Sequence, residues 1–245
     1  MPAPTAIDLT ERSTALGGSR KLTGHLAKPT TPGPWPGVVV VHEAFGVDDV
    51  MLRQTERMAA AGYLTLMPNL FTDGGPRRCL VPTMRAALSG LGRAYADLEA
   101  ARTALTAHPD CTGKVGLIGF CMGGAFALVA AGRGIYDAAS ANYGQLPKDI
   151  DRALAEACPV VGSYGGRDRM LKGAAAKLDE ALERAQIAHD VKEYPEAGHS
   201  FLNDAENGPA ALRPLLRITG AGPHPESAAD AWRRIEDFFA EHLKS

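Results

Sequence analysis

The sequence predicts an α/β fold, a mainly parallel central sheet with helices on both faces. Strand-like and helical segments alternate through most of the chain, the pattern that right-handed crossovers and a parallel sheet produce. The unbroken β-branched run Val38-Val39-Val40-Val41 is the mark of a strand buried on both faces. The chain has 245 residues, 45% of them hydrophobic, enough for one sizeable core, so residues 1–245 are expected to form a single domain.

In chain order, Ala6 to Leu9 and Lys21 to Ala27 read as short strands, and Pro32 to Gly37 as a turn before the valine strand. Val50 to Ala61 has helical spacing and stops at Gly62. Tyr63 to Met67 is the next strand, ended by Pro68, and Asn69 to Pro82 reads as irregular. Thr83 to Ala107 is helical with interruptions at Gly90 and Gly92. Lys114 to Phe120 is a strand and Cys121 to Ala131 a helix of small residues; Ala138 to Tyr143 is a weaker strand. Pro159 to Tyr164 is a strand, Leu171 to Ala185 a helix, His189 to Tyr194 a strand and Ser227 to Leu243 a closing amphipathic helix. Asp204 to Pro225 has no clear period; it is either a flap near the site or a variable surface loop.

Charged residues are 22% of the chain and the formal net charge is −2, which gives no reason to expect nucleic acid or an anionic membrane as a partner. No run reaches the roughly 18 apolar residues of a membrane span. Met1-Pro2-Ala3-Pro4-Thr5 lacks the pattern of a signal peptide, so a cytoplasmic location is expected. Cys79, Cys111, Cys121 and Cys158 have neither metal-like spacing nor disulfide density, and no metal or other cofactor is expected. A cysteine of this kind is ordinarily a small buried hydrophobe, which suits Cys158 and leaves Cys79 and Cys111 open.

Cys121 is different. Lys114 to Phe120 leads through Gly119-Phe120-Cys121-Met122-Gly123 straight into a helix, the arrangement of a nucleophile elbow. Glycines flank the central residue because side chains there would collide in so tight a turn. The helix N-terminus is aimed at the reacting centre and favours a thiolate, the reactive form of cysteine. Partners are expected in the chain order nucleophile, acid, histidine, each just past a strand. Asp168 follows the strand ending at Tyr164, and His199 follows the strand ending at Tyr194. In this reading His199 exchanges protons with the thiol and the leaving group, and Asp168 fixes its tautomer. His42 ends a buried strand but precedes the nucleophile, and Asp190 and Asp204 lie within a strand and after the histidine. An oxyanion hole needs the N–H of the residue after the nucleophile, Met122, and one from the loop His42-Glu43-Ala44-Phe45-Gly46, here assigned to Ala44.

Together His42-Glu43-Ala44-Phe45-Gly46, Gly119-Phe120-Cys121-Met122-Gly123-Gly124, Gly165-Gly166-Arg167-Asp168 and Gly198-His199-Ser200-Phe201 resemble the dienelactone hydrolase family. The resemblance covers most of the chain, from Val38 to the C-terminal helix. It implies an α/β-hydrolase fold carrying a Cys-His-Asp triad that hydrolyses enol lactones and related esters without a cofactor. It also implies a role for Glu43, pairing with the resting cysteine until substrate releases it to help form the thiolate; the alternative is a carboxylate that braces its loop. Two family arginines that read a substrate carboxylate are absent: Asn203 stands at one position and Phe71-Thr72-Asp73 at the segment of the other. Phe45, Phe71 and Asn203 are candidate substrate contacts, and Arg77, Arg78 or Arg85 could replace the missing charge or could simply be solvated surface. A small neutral ester or lactone is therefore the expected partner, bound by a monomer or small homo-oligomer. Acyl transfer to an acceptor other than water, or a binding protein that kept the fold without the reaction, are the competing readings.

Overall fold

Successive side chains of a strand point to opposite faces, so a run without a polar residue needs a core on each side. The computed structural model, which describes residues 3–209, 213, 214 and 220–245, provides both. Val39 and Val41 pack with Leu64, Leu66 and Leu117 beneath one layer of helices. Val38 and Val40 pack with Met67, Ile118 and Phe120 beneath the other.

The elements are β1 (Thr5–Asp8), α1 (Thr10–Ala15), β2 (Thr23–Ala27), β3 (Trp35–Val41), α2 (Asp49–Ala60), β4 (Leu64–Pro68), α3 (Gly75–Ser89), α4 (Arg93–Thr106), β5 (Cys111–Phe120), α5 (Met122–Ala131), β6 (Ala138–Asn142), α6 (Ile150–Leu154), β7 (Val160–Gly165), α7 (Ala174–Arg184), β8 (His189–Tyr194) and α8 (Pro225–Leu243). The sheet has eight strands in the order β1-β2-β4-β3-β5-β6-β7-β8. β1 and β2 join antiparallel, and all pairs among β3 to β8 are parallel. The chain steps outward from β3 to β4 and returns to β5 on the other side of β3. That reversal opens a crevice at the carboxyl ends of the strands, the place where open α/β sheets bind ligands. Register aligns Phe120 with Asn142 and Asn142 with Ser163, so the loops after β5, β6 and β7 leave the sheet at one level. No helix among the described residues is long and apolar enough to cross a membrane.

Most expected elements are present with shifted ends. The stretch read as irregular, Asn69 to Pro82, is corrected: from Gly75 onward it belongs to α3, which carries Pro82 inside it. Pro76 suits the first helical turn, where its missing N–H costs nothing. Pro82 is exposed, so the carbonyl it leaves unbonded one turn earlier can meet water. The expected helical stretch from Thr83 to Ala107 divides at Gly90, whose φ of 73° ends α3, and α4 starts after Gly92. α1 and α6 are too short to show a period. β3 starts at Trp35, within the expected turn. The question of a flap over Asp204 to Pro225 falls largely on residues 210–212 and 215–219, outside the described residues.

The glycines of the elbow are set by a crossing of backbones. A Cβ on Gly119 would run into the Gly123 carbonyl, and one on Gly123 into the Val41 carbonyl at the end of β3. Neither obstacle is a side chain that can swing away. We expect Gly123→Ala to lower stability by about 2 kcal/mol through overpacking, read as a lower urea midpoint at unchanged slope. An unchanged midpoint would show that the elbow has more room than the packing implies.

Candidate active site

Cys121 caps α5 with φ 54° and ψ −113°, a conformation that is strained for an L-residue. Its N–H donates to the Asn142 carbonyl at 3.0 Å, and its carbonyl accepts the first hydrogen bond of α5, from Ala125 N–H at 3.2 Å. The turn therefore stands on β6 as well as on its own glycines. Met122 N–H lies ahead of that first helical hydrogen bond, at the positive end of the helix dipole. Ala44 sits across the cavity, in the loop after β3.

Asp168 and His199 meet because the loops after β7 and β8 are tied together. Gly166 N–H donates to Tyr194 O at 2.8 Å, and Arg167 N–H to Ala197 O at 2.9 Å. Asp168 Oδ2 lies 2.5 Å from His199 Nδ1, and Oδ1 accepts from Met170 N–H at 3.0 Å. The carboxylate is almost sealed, at 2% side-chain exposure, and the imidazole is at 11%. His199 Nε2 is buried and makes no hydrogen bond of ordinary geometry, although Cys121 is near enough to act on it. Burial disfavours charge on His199, but Cys121 and then Asp168 favour it, and the outcome is a pKa well above the ordinary histidine value.

Glu43, 1% exposed, is surrounded by donors from the segment after His199. Ser200 Oγ and Asn203 Nδ2 each donate to Oε1 at 3.2 Å, and Asn207 Nδ2 donates to Oε2. Burial raises its pKa; Asn207, the charge on His199, Asn203 and Ser200 pull it back only in part. No hydrogen bond between Glu43 and Cys121 occurs among the described residues. His42 is a brace beneath this loop. Its Nε2 accepts from Leu70 N–H at 3.1 Å, which leaves the ring proton on Nδ1 to be donated to the Glu43 carbonyl at 2.7 Å.

A cavity of about 190 Å³ opens over Cys121, lined by Glu43, Ala44, Phe45, His199, Ser200 and Asn207, among others. It is small beside the roughly 300–1,000 Å³ of common ligand pockets. Of the residues expected at the site, Cys121, Asp168, His199, Glu43, Ala44, Met122 and Phe45 converge here. Phe71 does not reach the wall: it is 3% exposed and its ring packs edge-on against His42 at 4.9 Å. Asn203 is buried and occupied with Glu43. Arg77 is exposed on α3, and Arg78 and Arg85 line a separate surface cleft with Asp73. Asp73 accepts from Arg93 there at 2.8 Å.

Other residues come from packing that the sequence did not announce. Met170, 75% exposed, stands at the rim, and Arg213 joins the wall while its Nε donates to Gly208 O at 3.2 Å. Asn207 both lines the cavity and holds Glu43. Tyr143 packs its ring on His199, 5.1 Å between centroids. Its one sequence signal was position, at the end of the strand beside the elbow. No cluster of potential metal ligands occurs among the described residues.

Comparison with known proteins gives the following likenesses. A family model described as the dienelactone hydrolase family matches residues 22–243. The carboxymethylenebutenolidase of Pseudomonas putida is 31% identical over 203 residues, which cover 79% of this chain and 86% of that protein. A Yersinia pestis protein provisionally given the same name is 32% identical over 240 residues, covering 91% of this chain and 84% of the relative. A Klebsiella pneumoniae structure, provisionally described as a dienelactone hydrolase, superimposes with a TM-score of 0.76 at 26% identity, covering 98% of this chain and all of that one.

The His42 brace has a signature in stability. Burial pushes its pKa down to about 4, against the weaker opposing effect of the Glu43 carbonyl. An unfolded histidine titrates near about 6.5. A group with a depressed folded pKa that binds its proton more readily unfolded costs stability as pH falls below the unfolded value. The loss grows down to about pH 4, where it reaches about 3 kcal/mol. His42→Gln should be less stable at pH 8 yet lose less stability between pH 7 and pH 4 than the parent, in urea titrations at each pH. Equal losses in both proteins would rule out the neutral, buried brace.

Proposed function

Because the chain belongs to the dienelactone hydrolase family, whose members cut ester and lactone bonds, we propose that it does so with Cys121 as nucleophile and without a cofactor. The observation that carries this reading is the convergence at one small cavity of a strained Cys121, a histidine whose buried Nε2 lies within reach of that cysteine, and a sealed carboxylate on its Nδ1. That is the arrangement of a nucleophile, a proton carrier and the group that orients the carrier.

The thiol proton passes to His199, and Glu43 assists as a second acceptor, since burial raises its pKa. Cys121 Sγ attacks the carbonyl carbon, and the N–H groups of Met122 and Ala44 receive the oxyanion. As the tetrahedral intermediate collapses, the carbon–oxygen bond to the leaving group breaks and His199 gives that oxygen its proton. In a lactone the released alcohol stays attached to the acyl chain. Water then attacks the thioester, passing a proton to His199; the carbon–sulfur bond breaks, the acid departs and the thiolate is restored. Throughout, Asp168 stabilises the charged imidazole and keeps Nδ1 as the donor.

The substrate we propose is a small neutral ester or lactone. The cavity volume limits size, and Phe45 gives it an apolar wall. Charge recognition is sparse: Asn203 is spent on Glu43, Asp73 on Arg93, and Arg78 and Arg85 face another cleft. Apart from the catalytic His199, Arg213 is the one basic side chain on the wall among the described residues, and Glu206 stands on the same wall.

Cys121→Ala should fold normally and lose at least about 10³-fold in kcat/KM on any ester the parent hydrolyses. Full activity in that variant would overturn the cysteine mechanism. With lactones that differ only in a remote carboxylate, free or methylated, the methylated compound should have the higher kcat/KM. A tenfold preference for the free acid would contradict the neutral-substrate reading and assign weight to Arg213.

A further inference from the structure

Four described non-glycine residues have positive φ: Cys121, Tyr143, Gln186 and Ser200. Gln186 lies in a turn after α7, and the other three adjoin one another at the site. Backbone strain persists where the surroundings enforce it, and it gathers where side chains must be aimed. Cys121 and Ser200 have evident tasks, attacking the substrate and donating to Glu43. Tyr143, with φ 40°, has none yet.

Tyr143 is completely buried and leaves β6 immediately after Asn142, whose carbonyl holds Cys121 N–H. Its own N–H donates to Ser163 O at 2.8 Å, so its backbone is fixed from both sides. The ring is clasped by Phe120 and Phe201, with centroids at 6.4 and 5.8 Å, and lies against His199. The hydroxyl is sealed from solvent and makes no hydrogen bond of ordinary geometry, which is costly for a buried polar group. A phenylalanine would fill the same space without that cost.

We propose that Tyr143 is a positioning residue whose hydroxyl solvates the negative charge that develops on Glu43 and Cys121, while its ring holds the His199 imidazole in place. The inference rests on the hydrolase reading above and concerns how its thiolate is sustained beside the buried Glu43 carboxylate. Burial first, and then the charges of Glu43 and Cys121, hold the phenol well above its ordinary pKa, so the hydroxyl remains a donor across the working pH range. The groups facing the pair are accounted for by element. His199 and Ser200, with Asn203, Glu206, Asn207 and Arg213, come from the segment after β8; Asp168 acts on His199 from the loop after β7; the neutral His42 lies beneath Glu43; Tyr143 comes from the end of β6. Tyr143 bears on both Glu43 and Cys121, and its hydroxyl is a neutral donor with no hydrogen bond of ordinary geometry elsewhere.

The sign follows. Each deprotonation adds negative charge to the cluster, and a hydroxyl donating to it favours that step. Removing the donor moves thiolate formation to higher pH; strengthening it moves thiolate formation lower. The test is the pH dependence of Cys121 alkylation by iodoacetamide in the free enzyme, followed by mass mapping of the Cys121 peptide. It compares the parent, Tyr143→Phe, and protein carrying 3-fluorotyrosine at position 143. Tyr143→Phe should raise the midpoint by about one pH unit, the equivalent of one hydrogen bond to an ionised group. The fluorinated ring, a stronger donor of nearly the same shape, should lower it. A merely structural tyrosine would change the melting temperature and leave both midpoints in place, and that result overturns the inference while leaving the hydrolase reading intact. If Tyr143→Phe fails to fold, the fluorinated protein decides alone, and an unmoved midpoint counts against the proposal. A Cys121 that resists alkylation at every pH overturns both readings.

Discussion

The hydrogen bond from Cys121 N–H to the Asn142 carbonyl, at 3.0 Å, holds a backbone conformation that no isolated peptide would favour. The rest of the site is arranged around it. The strain is affordable because Gly119 and Gly123 let β3, β5 and α5 pass almost in contact, which fixes the turn from three sides. In return the sulfur is raised above the sheet at the start of a helix, where backbone N–H groups converge. The register of β5, β6 and β7 then delivers Tyr143 and the loop bearing Asp168 to the same level.

Around that sulfur the protein has gathered titratable groups that are themselves buried or nearly so. His199 carries Asp168 behind it and Cys121 before it, which together outweigh burial and favour its charged form. Glu43 shows the opposite balance: several donors surround it, yet burial prevails and its pKa stays raised. The two groups suit different tasks, one favouring the proton it carries and the other, with its pKa raised by burial, able to serve as a second acceptor. His42, below them, contributes by remaining neutral, since each ring nitrogen has a fixed backbone partner. Asn207 links this cluster to the cavity wall and to the segment beyond it.

What could be read in the sequence was what backbone constraint writes locally. Two-sided burial wrote Val38 to Val41. The crossing at the elbow wrote the glycines around Cys121, and the short loops after β7 and β8 wrote Gly165-Gly166-Arg167-Asp168 and Gly198-His199. Residues whose role depends on a distant partner were not legible. Asn207 matters because Glu43 lies opposite it, 164 positions earlier in the chain. Tyr143 matters because β6 happens to end beside the elbow. The sequence offers Phe71 and Asn203 as substrate contacts, but the fold turns one toward His42 and the other toward Glu43. α3 was hidden by Pro82, which a buried helix would exclude and an exposed one tolerates.

The central claim is that Cys121 itself carries the acyl group. Rapid quenching during turnover of a slow ester, followed by intact-mass measurement and peptide mapping, tests it directly. The account predicts one added acyl group per chain, located on the peptide containing Cys121 and released by hydroxylamine as a thioester would be. Continued turnover with the acyl group on another residue, or with no adduct under conditions where deacylation limits the rate, would contradict it.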